Sequence, residues 1–435
     1  MKNNNVEYND YYMRGRALFS AKKYGEAEKY FRLAIDKNPV GLEAYMAMVH
    51  LSVTLKQFDK AKENIKKILV IDDKNGEAYF HLGNIAFFQK DAVSARSNYS
   101  KALSYGYDNV VAQYYMAISN LETGDVINAK FYLNQILQLQ KDHPKARIKL
   151  IEIAAKENNF QEMLAQAEEL ILNRPDAFEG YHYKFMALLG QDELDAAYGT
   201  IVHAINLFPG DYGFAMDLII YYIKCEKYEE ALEFIDNRFK EDDERTLLVA
   251  PQKAKIFFKM GRFEEAYKVL DGVEQKYFDA ELYYIMMMIE LSNKAFDKAE
   301  KHCQIIMDKY KDSEYFCAAM CYKAVCLKSM AKEQEAKEAI IKANEKIKED
   351  SIKNPGNISL FIYRIICEME MDNLDKAFEL VEYVDSLTEG KLAEVYLVRG
   401  MLYNKTQNSD KAREDFEKAI SLNAALSNIV KEMMC

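Results

Sequence analysis

Residues 11–39 read YYMRGRALFSAKKYGEAEKYFRLAIDKNP, from Tyr11 to Pro39. Two amphipathic helices are legible in this stretch, joined by a short polar turn at Lys22–Lys23. Small residues stand at Gly15, Ala27 and Ala34, an aromatic at Phe31, and Pro39 closes the pattern. Interaxial distance is set by the residues at the contact, so a bulky side chain at Gly15 or Ala27 would force the helices apart. Phe31 fills the space between them, and a proline cannot extend the second helix.

The pattern recurs. Taking the small residue that opens each second helix as a marker gives Ala27, Ala61, Ala95, Ala129, Met163, Ala197 and Ala231. Every step is 34 residues (61 minus 27, and so on to 231 minus 197). Ala266, Ala299, Ala336, Ala377 and Ala412 follow, with steps of 35, 33, 37, 41 and 35. Four and seven residues past the markers come Phe31 and Ala34, Ile65 and Ile68, Tyr99 and Ala102, Leu133 and Ile136. Offsets of zero, four and seven share one face of a 3.6-residue helix, so each second helix buries one stripe. Pro39, Pro175 and Pro209 punctuate three of the repeats.

Composition bounds the function. A length of 435 residues suggests two or three globular domains, but repeat proteins grow without a single central core. Half the residues are apolar and six are proline, which argues for a packed, loop-poor chain. A net charge of −11 argues against a nucleic-acid backbone as the main ligand, because phosphate affinity comes from clustered Lys and Arg. The polar start MKNNNVEYND lacks the apolar core of a secretory signal, and the most apolar runs, Leu218–Ile223 and Tyr283–Ile289, fall short of the roughly 20 residues a membrane span needs. A cytoplasmic protein without membrane or nucleic-acid partners is expected. Seven cysteines form no paired spacing, which predicts free, mostly buried thiols.

A 34-residue helix–turn–helix with Gly or Ala eighth, Ala twentieth, an aromatic twenty-fourth and Pro thirty-second resembles the tetratricopeptide repeat (TPR). The first repeat matches at Tyr11, Gly15, Ala27, Phe31, Ala34 and Pro39, and the third at Tyr79, Leu82, Gly83, Ala95, Tyr99 and Ala102. The twelfth matches at Tyr396, Gly400, Tyr403, Ala412, Phe416 and Ala419. The resemblance implies an all-α fold, an α-solenoid wound as a right-handed superhelix of about twelve hairpins. Departures from the phase divide it into three blocks, 8–245, 247–350 and 358–426, with breaks near Thr246 and Asn354. Pro251 predicts a short first helix starting near Ala250, since proline fits only the first helical turn. Apolar residues at Leu426, Ile429, Val430 and Met433 predict a capping helix whose end spans 427–435.

In the family that this chain resembles, first helices line a concave groove. Carried over position by position, the resemblance implies a peptide-binding set of Tyr12, Arg16, Phe19, His50, Phe80, Asn84, Phe87 and Tyr114, to which the neighbouring Phe88 is added. Such aromatic anchors beside an amide suit an extended or helical peptide. Family members that dock chaperone tails use a carboxylate clamp of Lys, Asn and Arg. Its places hold Tyr12, Arg16, Ala47, Glu77 and His81 here, so that docking is disfavoured.

Catalysis has little support. The six histidines are scattered along the chain with no pair at metal spacing, and no HExxH, GxSxG or phosphate loop occurs. Cys317 and Cys321 share a helical face while Cys326 points to the opposite side. No enzyme, metal or cofactor is therefore expected. The reading is a protein-interaction scaffold that binds a peptide or partner helix. Its rivals are a peptide-sensing bacterial regulator and an RNA-binding helical-repeat protein, the latter disfavoured by the acidic charge.

Overall fold

A computed structural model describes residues 2–239, 244–427 and 430. The described residues form helices throughout, with no strand among them. They pair in order as hairpins. The first six are α1 (Lys2–Ser20) with α2 (Tyr24–Lys37), α3 (Leu42–Thr54) with α4 (Phe58–Ile71), and α5 (Gly76–Phe88) with α6 (Ala92–Ser104), then α7 (Val110–Glu122) with α8 (Val126–Leu139), α9 (Pro144–Lys156) with α10 (Phe160–Asn173), and α11 (Phe178–Gly190) with α12 (Leu194–Leu207). Next come α13 (Tyr212–Lys224) with α14 (Tyr228–Arg238), α15 (Glu244–Lys259) with α16 (Phe263–Asp271), and α17 (Ala280–Ser292) with α18 (Phe296–Lys309). The last three are α19 (Phe316–Ser329) with α20 (Glu333–Lys353), α21 (Ile358–Glu370) with α22 (Leu374–Leu387), and α23 (Ala393–Lys405) with α24 (Ser409–Leu422). Short 3-10 turns occupy Gln275–Tyr277 and Ala424–Leu426. This is an all-α repeat solenoid.

The stripes predicted from the markers are where the hairpins are held together. Ala27, Phe31 and Ala34 are fully buried, as are Ala95, Tyr99 and Ala102, and Met163 replaces the small residue without exposing itself. The close approach is steric. A Cβ on Gly15 would lie 2.6 Å from the Phe31 ring, on Gly83 2.5 Å from the Tyr99 ring, and on Gly400 2.6 Å from the Phe416 ring. In α14 the seventh-offset residue is the exposed Arg238, and the helix ends on it.

Each hairpin turn carries a residue in the left-handed region, five places before its marker. It falls at Lys22, Lys56, Lys90, Gly124, Asn158, Asp192, Glu226, Gly261, Lys294, Ala331, Asp372 and Gln407. The turn then closes backward onto the first helix, as when the Lys23 N–H donates to the Leu18 carbonyl and the Asp91 N–H to the Ala86 carbonyl. This six-to-one bond is the Schellman closure, which favours glycine at the left-handed residue. Only two of the twelve are glycine.

One expectation changes. Pro251 does not open a short helix near Ala250; it lies inside the 16-residue α15, which already runs from Glu244. Burial of Val249, Ala254, Ile256 and Phe257 compensates the hydrogen bond proline cannot make. The 41-residue step comes from a longer helix. α20 has 21 residues where α18 and α22 have 14, and 21 minus 14 accounts for the 7 by which 41 exceeds 34. Seven residues make nearly two whole turns, so Ala336, Ile340, Ala343, Ile347 and Ser351 stay on one buried face. Val430 is buried against Ala412 and Phe416, while Ile429 and Met433 of the expected cap lie outside the described residues, as does most of the acidic run after Phe239.

The chain divides into two compact units, residues 1–217 and 218–435, with the division inside α13. In the first unit, successive first helices touch (α1 with α3, α3 with α5, α9 with α11), whereas successive second helices stand further apart. First helices therefore line the inner side of the curve. The second unit shows the same layering through α15 with α17, α19 with α21, and α21 with α23. It also coils back on itself, since a Cβ on Gly261 would lie 2.7 Å from the Ala425 carbonyl. No described helix is long and apolar enough to cross a membrane.

Gly83→Val is expected to destabilise the chain by about 2 kcal/mol or more, because the added methyls must displace Tyr99; an unchanged thermal melt by circular dichroism would contradict the steric account. Lys90→Gly is expected to raise stability by roughly 0.5–1 kcal/mol, since glycine pays no side-chain penalty in the left-handed region, read as a higher denaturant midpoint than wild type.

Candidate functional site

The inner face of the first unit is built by α1, α3, α5, α7, α9 and α11. At its start Tyr12 stacks on Tyr8 at 6.2 Å, and the exposed Arg16 guanidinium lies 5.8 Å from the Tyr12 ring. Phe19 packs 5.6 Å from Tyr24 at the hairpin turn. These three sit together at one end of the face.

Around α5 the expected residues separate. Phe80 is 6% exposed and belongs to the core, packed against Tyr99, Tyr107 and Tyr115. Tyr99 and Tyr107 offer a ring-sized space behind α5, and filling it is worth about 2 kcal/mol to a phenylalanine. Asn84 stays half-buried, and its side-chain oxygen accepts the Tyr99 hydroxyl at 2.8 Å. Its amide N–H groups remain available for a peptide carbonyl. Phe87 is half-buried against Tyr115 at 5.7 Å, and Phe88 is 62% exposed, stacked on Phe58 at 6.0 Å. Tyr114 is half-buried on the next first helix, 6.0 Å from the His143 ring. Beyond it stand Lys149, paired with Glu152 at 2.6 Å, and Tyr183. Burial pushes the Tyr114 and Tyr183 hydroxyls up, and both feel the Lys149 and Glu152 charges.

His50 has neighbours the sequence reading did not give it. Its Nε2 lies 2.9 Å from His81 Nε2 and 3.6 Å from a Glu77 carboxylate oxygen. His81 is 8% exposed, and its other ring nitrogen, Nδ1, has no partner. Burial pushes the His81 imidazole down to about 4, so it is neutral, while the hydrogen bond from His50 holds Glu77 below the usual carboxylate range.

A second histidine on this face is differently placed. His182 Nδ1 lies 2.7 Å from Asp217, a carboxylate that is 2% exposed, and Phe178 stacks on the imidazole at 6.1 Å. The hydrogen bond to Asp217 raises His182 above the ordinary imidazole value. Burial raises Asp217 as well, with His182 opposing it.

The second unit fills its own inner face. Tyr284 from α17 hydrogen-bonds Tyr363 from α21 and lies 4.8 Å from the Tyr315 ring, while Tyr322 meets Tyr363 at 6.2 Å. Burial pushes all three of the Tyr284, Tyr322 and Tyr363 hydroxyls up. Six cysteines are free, and Cys435 lies outside the described residues. Cys317 and Cys321 face Asp350 and the Tyr363 carbonyl, whereas Cys326 joins Cys303 on the other side of α19. Burial pushes the Cys317 thiol up to about 11, which makes it a poor nucleophile.

A tetratricopeptide repeat model matches residues 11–39 and 393–426, the first and the last hairpin of the series. The chain thus carries tetratricopeptide repeats at both ends of its series of hairpins. Among curated proteins this TPR chain is 27% identical over 96 residues to Hsp70-Hsp90 organizing protein 3 of Arabidopsis thaliana, a match covering 22% of the chain and 17% of the relative. A 26% match over 96 residues to the Hsp70-Hsp90 organizing protein of Triticum aestivum covers 22% of the chain and 16% of the relative. The chain thus spans about a sixth of the length of these relatives. Among solved structures, the Cut9–Hcn1 complex of the APC/C aligns with 98% of this chain and 96% of that one, at 12% identity and a TM-score of 0.47. Pseudomonas aeruginosa pilF aligns with 49% of this chain and 96% of that one, at 16% identity and a TM-score of 0.41.

Sequence reasoning missed His81, Glu77 and Asp217 as partners within the TPR face. The signal was present in the spacing. His81 follows His50 by 31 residues (81 minus 50), three short of the repeat, so the ninth residue of one first helix meets the sixth of the next. Asp217 follows His182 by 35 (217 minus 182), one more than the repeat, and so falls beside it on the adjacent first helix.

The raised folded-state value of His182 gives its bond to Asp217 a definite pH dependence. Its stabilisation is present in full below the unfolded imidazole value of about 6.5 and is lost as pH rises through the higher folded value. The raised value of Asp217 acts in the same sense. The stability advantage of wild type over Asp217→Asn is therefore expected to shrink between about pH 6 and pH 9, checked by denaturant melts; an advantage that grows with pH contradicts the assignment.

Proposed function

We propose that this TPR chain is a protein-interaction scaffold that holds a peptide or partner helix against the inner face of its first unit. The observation that carries the reading is the row Asn84, Phe87, Tyr114, the Lys149–Glu152 pair and Tyr183, half-buried side chains on consecutive first helices α5 to α11. Rings of this kind supply contact area at low entropic cost, and the spare Asn84 amide bonds a backbone. Phe80 supports the row from behind without meeting a ligand. The second unit is less suited, because its own tyrosines already fill the corresponding face.

Charge narrows the ligand class. The chain carries −11 overall, and acidic groups such as Glu77 and Glu152 stand on the inner helices, so segments with Lys or Arg beside apolar anchors are favoured. The curated relatives are named as organising proteins for two chaperones, but Glu77 and His81 stand where a carboxylate clamp needs cations. A basic, apolar peptide fits this face better than a free carboxylate terminus.

Selecting a random-peptide library on the full chain is expected to enrich sequences with a basic residue beside aromatic or aliphatic ones. Phe87→Ala with Tyr114→Ala should weaken the selected peptides at least about ten-fold, near 1.4 kcal/mol, with helicity unchanged. Equal binding by the double variant, or enrichment of acidic peptides, would sink the reading.

A further inference from the structure

The trio His50, Glu77 and His81 is the one cluster of metal-ligating side chains that the described residues bring within mutual reach, with its three donor atoms inside 4.8 Å of one another. We propose that it is a zinc-class metal site, with His50 Nε2, His81 Nε2 and the Glu77 carboxylate as ligands. The trio shares Glu77 with the acidic groups invoked for the peptide but none of the Asn84–Tyr183 row, so zinc binding and peptide binding are read out by separate variants.

The geometry favours an ion. Glu77 and His81 are four residues apart on α5, so they project from one helical face. His50 approaches from α3. Two imidazole nitrogens sharing a tetrahedral zinc at about 2.0–2.1 Å stand roughly 3.3 Å apart. The two histidine nitrogens are already at 2.9 Å, so that pair has to open by only a few tenths of an ångström. A carboxylate oxygen lies 3.6 Å from His50 Nε2, and with all three donors within 4.8 Å of one another an ion would draw Glu77 and His81 together.

The donor chemistry is also selective. Two imidazoles and one carboxylate are a recurring ligand set for zinc and neighbouring first-row ions, while calcium and magnesium prefer all-oxygen shells. Three protein ligands leave one tetrahedral position open, as in zinc sites that exchange a water or bind a further donor. The His50 side chain is 44% exposed and provides a route in from solvent, while His81 anchors the site from the interior. With Nδ1 unpartnered, the polar satisfaction of the His81 ring runs through Nε2, the atom that faces the trio. The ordinary competing account is a hydrogen bond between two imidazoles that takes up no ion.

The test uses the full chain, stripped with a chelator and titrated with zinc chloride by calorimetry, with cobalt as a spectroscopic reporter. One equivalent of zinc is expected, with a higher melting temperature and the visible absorption of low-symmetry cobalt. Glu77→Gln and His50→Ala each weaken this site at least about ten-fold and abolish the melting shift, whereas His203→Ala leaves both intact. Neither Glu77 nor His50 is buried, so both variants are expected to fold, which circular dichroism checks. Absence of a zinc-dependent heat overturns the proposal, as does equal binding by wild type and the two variants, or an equal loss in His203→Ala.

Discussion

The contact between a small residue on one helix and an aromatic ring on the next sets the whole molecule. Gly15 under Phe31, Gly83 under Tyr99 and Gly400 under Phe416 bring two backbones to a distance that any side chain on the glycine would prevent. No hairpin buries its stripe alone; Ala95, Tyr99 and Ala102 are covered because the neighbouring hairpin lies against them. Stability in such a stack is close to a sum over nearest neighbours, so what happens at one hairpin is felt mainly by the hairpins beside it.

This explains which parts of the structure were legible in the sequence. The phase of the markers depends on residue size and hydrophobicity at the contact, and those are written in the letters themselves. The first turn could be placed, at Lys22–Lys23, but the left-handed closure of the turns was not legible, because that position is filled by lysine, acid, amide or alanine in ten of twelve hairpins and only two show the glycine that would have announced it. Backbone geometry there is imposed by the two packed helices rather than chosen by the turn residue. Pro251 misled for a related reason, since the packing of α15 outweighs one missing hydrogen bond.

The candidate site was legible only as a face. Counting positions along first helices marks Asn84, Phe87 and Tyr114, but it also marked Phe80, whose ring turns into the core because Tyr99 and Tyr107 leave room for it. Pairings between helices are harder still. The meeting of His50 with His81 and of His182 with Asp217 depends on how far each first helix slides along its neighbour, an offset of a residue or a few that no single repeat contains. The two units also use the same layer differently. One leaves rings and an amide partly open on its inner helices, while the other ties Tyr284 to Tyr363 across its interior.

The long α20 shows which changes of length such an architecture absorbs. Its seven additional residues bring the helix back to nearly the same angular position, so every later hairpin keeps its orientation relative to the ones before. Five added residues would rotate the helix about 140° past a whole number of turns, swinging Ile347 toward water and turning all downstream hairpins with it. Growth and shrinkage of this chain over evolutionary time are thereby quantised: a helix gains or sheds close to two turns, or a complete hairpin is duplicated or lost, while intermediate lengths are filtered out by the rotation they impose.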